Sequence, residues 1–109
     1  MKKVYLISAF LILFLGLIHT AMTPVFYPAF SLDSLWFAGA GLALVFLGSL
    51  NYFASKIMTK LILNVCIIAN IILTIYLSLI SVLLPEIHAF IGVILMLCLL
   101  VGAVWMRIQ

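Results

Sequence analysis

Four long apolar runs, at residues 4–22, 35–54, 61–84 and 87–106, account for almost the whole chain, and short polar or proline-bearing segments separate them. Each run is close to the ~20 residues a helix needs to cross ~30 Å of hydrocarbon. Strands of a membrane barrel would alternate polar and apolar residues in segments of roughly 10. These runs are unbroken, so the pattern predicts helices, which satisfy their backbone groups internally. The third run is the longest, and only Pro85 and Glu86 part it from the fourth. Pro85 stops one helix and suits the first turn of the next, so a tight antiparallel hairpin is expected there.

Composition agrees: 70% of the 109 residues are hydrophobic and 6% are charged. A soluble domain of this length has too little interior for so much apolar surface. The expected fold class is therefore an all-α membrane protein: four transmembrane helices in an antiparallel bundle, forming one membrane domain over residues 1–109. Residues 1–21 have some character of a cleavable signal peptide. The apolar stretch is long for that role, however, and His19, Thr20 and Ala21 make a poor cleavage site.

Charge gives the bundle a direction. Lys2 and Lys3 precede the first helix, Lys56 and Lys60 lie between the second and third, and Arg107 follows the fourth. Four crossings place all five on one side and both acids, Asp33 and Glu86, on the other. The positive-inside rule puts the basic side, with both termini, in the cytoplasm. The formal charge of +3 has no other call on it: the cations form no basic face, so no nucleic-acid partner is expected. Phe26, Tyr27, Phe30, Trp36 and Phe37 are expected as an outer aromatic belt, and Tyr5, Tyr52, Phe53 and Trp105 as an inner one.

Small and polar residues mark the helix faces that meet, because lipid gives apolar helices no reason to associate. In the second helix Ser34, Ala38, Gly41, Gly48 and Ser55 share a side; Gly16, Ala89, Gly92 and Gly102 do the same for the first and fourth. Along the third, Cys66, Asn70, Thr74 and Ser78 recur every fourth residue, with Ser81 one turn on. The candidate polar stripe is Asn70, Thr74, Ser78 and Ser81. Either its hydroxyls bond to carbonyls one turn back while Asn70 bonds across to another helix, or it lines a hydrated path. Asn51 and Asn64 are expected to pair near the inner boundary. Cys66 and Cys98 read as small packing residues.

The candidate chemistry lies at the outer end, where this topology gathers His19, Asp33, Glu86 and His88. Two histidines and two carboxylates are a donor set for a divalent metal or a proton relay. Against that, a carboxylate at a helix N-terminus satisfies free N–H groups. Gly16 lies one turn deeper than His19 and Gly92 one turn deeper than His88, so a gap beside each imidazole would suit a haem or a quinone. No outer Lys or Arg is present for haem propionates. The cofactor, if any, stays open.

Helix one has no acid, unlike the small multidrug resistance transporters of similar size. The Gly-rich, Arg-containing motif of fluoride channels and the paired cysteines of mercury-transport proteins are also absent. The run Gly16, Leu17, Ile18, His19, Thr20, then Thr23 and Pro24, with Leu35, Trp36, Phe37 and Gly41, resembles the small four-helix bacterial membrane proteins loosely grouped as DoxX-like. The topology covers the whole chain; the residues cover its first half. The resemblance implies a bacterial inner membrane and a possible tie to respiratory or redox complexes, and assigns no catalytic residue. The expected role is a non-enzymatic accessory or interaction subunit, partnered by the lipid bilayer and by copies of itself or a larger membrane complex. The alternative is a binding or transport protein with the outer His/carboxylate pocket as its site.

Overall fold

The computed structural model describes residues 1–109 as α1 (Lys2–Ala21), α2 (Thr23–Phe26), α3 (Leu32–Ile57), α4 (Lys60–Leu83) and α5 (Ile87–Ile108). The four long helices are long and apolar enough to cross a membrane. The molecule measures 48 × 24 × 20 Å, and its long axis matches a bilayer of ~40–45 Å with headgroups. Only 24 of 109 residues are buried, while Phe14, Ile18, Phe46, Ile72, Leu79 and Ile94 stand exposed. A water-soluble chain does not present so much contiguous apolar surface.

Local chemistry sets the boundaries. Pro24 lacks the N–H that would continue the ladder of α1, so α1 ends at Ala21 and a single extra turn, α2, follows. That turn was not expected: it lies in the proline-bearing segment between the first two apolar runs. Ser31 caps α3 in a reciprocal box with Ser34: each backbone N–H donates to the other hydroxyl, at 3.2 and 3.0 Å. The helix thus starts at Leu32, a turn earlier than its apolar run. It ends on Met58 in the left-handed conformation, whose N–H closes on the carbonyl of Ala54. Thr59 then caps α4 by accepting from the N–H of Ile62 at 3.3 Å.

The small residues expected at helix contacts are there, and their approach is close. A β-carbon on Gly16 would lie 2.5 Å from the carbonyl oxygen of Gly41 and 2.7 Å from the amide of Val45. One on Gly48 would lie 2.8 Å from the carbonyl of Ala9. Glycine is required here because α1 and α3 meet backbone to backbone. This contact corrects one expectation: the space beside Gly16 is filled by α3 and is no gap for a cofactor. Gly92 is looser, with Leu77 and Leu15 at 3.6 and 3.7 Å from its missing β-carbon.

Tyr5 was expected in an aromatic belt, and it is instead completely buried. Gly102 of α5 leaves the room: a β-carbon there would come 2.5 Å from the Tyr5 ring. The first turns of α1 therefore meet the last turns of α5 and, through Asn51, of α3. Arg107 near the end of α5 bonds to Asn64 near the start of α4. These contacts bring Lys2, Lys3, Lys56, Lys60 and Arg107 to one end of the molecule.

Candidate functional site

Two polar assemblies occupy opposite ends. The inner one is closed. Asn51 Oδ1 accepts from the Tyr5 hydroxyl at 2.7 Å, from Asn70 Nδ2 at 2.9 Å and from the Cys66 thiol at 3.3 Å. Asn51 Nδ2 donates to Asn70 Oδ1 at 2.9 Å and to the Leu47 carbonyl at 2.8 Å. All four side chains are fully buried. The helical offsets explain the meeting: Cys66 and Asn70 are one turn apart on one face of α4, opposite Asn51, while Tyr5 reaches in from α1.

The expected Asn51–Asn64 pair does not form. Asn64 lies on the other side of α4, exposed, and its Oδ1 accepts from Arg107 Nε at 2.7 Å. Two residues at similar depth need not share a face. Position 70 follows 66 by one turn, whereas 64 is offset from 66 by about 200° at ~100° per residue. Asn70 was the better partner on that ground.

Removing the phenol hydroxyl tests the hub without opening a large cavity. Tyr5→Phe is expected to lower the unfolding free energy by about 0.6–1.7 kcal/mol, the range for a hydrogen bond between membrane helices. Denaturant unfolding in detergent micelles measures it. An unchanged midpoint would remove Tyr5 from the network.

Above the hub the stripe is satisfied from within α4. Thr74 Oγ1 donates to the Asn70 carbonyl at 2.6 Å, Ser78 Oγ to Thr74 at 2.7 Å and Ser81 Oγ to Leu77 at 2.9 Å. Ser78 and Ser81 border a shallow groove of about 400 Å³ with Val82, Phe90 and Val93. The hydroxyls thus bond to carbonyls one turn back, and Asn70 bonds across to Asn51.

The outer assembly is looser. Glu86 caps α5 without a side-chain bond to its amides, and its Oε2 pairs with His88 Nε2 at 3.2 Å where both are about half exposed. Asp33 lies exposed in the first turn of α3. His19 is half-buried against Phe37, ring centroids 3.8 Å apart and 19° from parallel. Phe26 and Tyr27, set by the turn of α2, lean on the same Phe37 ring at 5.8 and 5.2 Å. His19 Nε2 is buried and has no hydrogen-bond partner. The fold thus brings Glu86 to His88, while His19 packs on Phe37 and Asp33 makes no ion pair. No three His, Cys, Asp or Glu side chains converge as a metal site.

Comparison with family models, with curated proteins and with solved structures gives no match. Fold and site geometry are therefore the basis for a functional reading.

Proposed function

We propose that this chain is a multi-pass protein of the bacterial inner membrane, an antiparallel four-helix bundle with both termini in the cytoplasm, serving as a non-catalytic accessory or interaction subunit. It works as a homo-oligomer or inside a larger membrane complex. One observation carries the reading: the polar side chains at the bundle centre spend their hydrogen bonds on one another. A closed network fixes which helix faces meet and offers nothing to a substrate. Orientation is supported by the five cations gathered at the end where Tyr5 meets Asn51. The residues that carry the DoxX-like resemblance include Gly16 and Gly41, which form the tight α1–α3 contact. A packing role for them agrees with a bundle of that kind.

The test is chemical analysis of the detergent-purified protein together with cross-linking in its own membrane. A discrete cross-linked species without stoichiometric metal or chromophore is the expected result. A cofactor present at one per chain, or turnover of a substrate, sinks the accessory role.

One atom favours a second reading, a binding or transport protein with an outer pocket formed by His19, Asp33, Glu86 and His88 for a metal, proton, haem or quinone. A buried ring nitrogen without a partner costs about 1–3 kcal/mol and calls for an explanation. His19→Phe separates the two roles. The accessory role predicts unchanged or raised stability, by up to about 1 kcal/mol, because the orphan is removed. Loss of a bound species on this substitution would establish the pocket instead.

A further inference from the structure

The contact between Asn64 and Arg107 has no part in the closed core, and it does something a surface arginine seldom does. Arg107 Nε donates to Asn64 Oδ1 at 2.7 Å across the α4–α5 seam. A long cationic side chain at an interface ordinarily keeps its rotamer freedom, since holding it in place has an entropic cost. Here the Nε of the guanidinium is engaged, which leaves the terminal amino groups as a forked pair of donors. Such a fork matches phosphate oxygens two at a time. Lys60 precedes Asn64 by one turn on the same face of α4, so a second cation flanks the seam. Neither acidic side chain neutralises them, because Asp33 at the start of α3 and Glu86 before α5 both lie at the other end. The flanking surface is apolar: Leu61 and Ile108 are exposed beside it.

We propose that the Arg107–Asn64 seam, with Lys60, is a binding site for the phosphate of an anionic phospholipid headgroup, whose acyl chains run down the apolar surface of α4 and α5. The inference rests on the chain spanning a membrane. It selects a lipid over other anions because the fork sits where the apolar helices end, at headgroup depth. Basic seams between membrane helices on the cytoplasmic side are suited to such headgroups. Asn64 is a positioning residue in this site: it contributes no charge and orients the group that does.

Native mass spectrometry of the full chain, released from nanodiscs with equal parts phosphatidylglycerol and phosphatidylcholine, reads the site directly. Phosphatidylglycerol is expected to be retained in preference to phosphatidylcholine. Arg107→Gln should weaken that preference about fivefold, the factor for one cation at an anionic surface. Arg107→Lys keeps the charge and loses the fork, and Asn64→Ala keeps the charge and loses the orientation, so each should give a smaller loss of about twofold. Lys3→Gln removes a cation from the same end but from α1, which does not form the seam, and should leave retention unchanged. An equal loss for Lys3→Gln and Arg107→Gln would overturn the proposal in favour of diffuse attraction. Equal competition by inorganic phosphate would overturn the lipid as occupant, as would an acidic protein retained there in its place. Carbonate extraction of native membranes keeps the two levels apart: a chain that stays in the membrane without lipid preference refutes only the seam, and a chain that washes out refutes the membrane reading itself.

Discussion

Gly48→Leu is expected to unfold the bundle at a markedly lower denaturant concentration than the parent chain. A β-carbon at this position meets the Ala9 carbonyl at 2.8 Å and the Leu13 amide at 2.9 Å. Both are backbone atoms, so no rotamer change makes room. Overpacking a side-chain core costs about 1–3 kcal/mol; separating two helices over their length should exceed the upper figure. Gly39→Leu is the control, since a β-carbon there has no heavy atom within 4 Å. It should fall within about 0.5 kcal/mol of the parent, as surface substitutions do. Equal midpoints for the two variants would show that α1 and α3 do not touch as described.

The second large effect is expected at Asn51. Leucine there removes the acceptor shared by Tyr5, Cys66 and Asn70 and leaves the Asn70 amide with neither of its Asn51 bonds. An orphaned buried group costs about 1–3 kcal/mol, and replacing both partners by apolar groups comes close to neutral. Asn51→Leu alone should therefore destabilise by about 2 kcal/mol. The double variant Asn51→Leu with Asn70→Leu should be no worse than either single one. Unfolding of all four proteins in the same detergent gives the coupling energy. Strict additivity would mean that the two amides do not interact.

Much of the architecture was legible because lipid makes hydrophobicity nearly sufficient. Four unbroken runs marked the long helices, and Gly16, Gly41, Gly48 and Gly102 marked the contacts that all prove to be buried. The errors came where depth was used in place of angle. Asn51 and Asn64 share a level, but only Asn70 shares the face. Tyr5 was placed with interfacial aromatics because it follows two lysines; its burial depends on Gly102, nearly a hundred residues away, and only the side-chain-free face of that glycine hinted at it. The turn of α2 was hidden because it lies in the proline-bearing segment that separates the first two apolar runs, where a connection was expected. Of the outer residues named from the sequence, only Glu86 and His88 meet, since exposed Asp33 obeys no packing constraint.

Tyr5 also says something about the order in which the bundle is assembled. Its hydroxyl belongs to the first helix made, whereas its partners lie on α3 and α4 and the glycine that receives its ring lies on α5. The ring therefore finds its seat only after the last helix has been made. The closing of the bundle around Tyr5 is thus a late event, made between the first helix and the last, and contacts of such sequence separation form slowly.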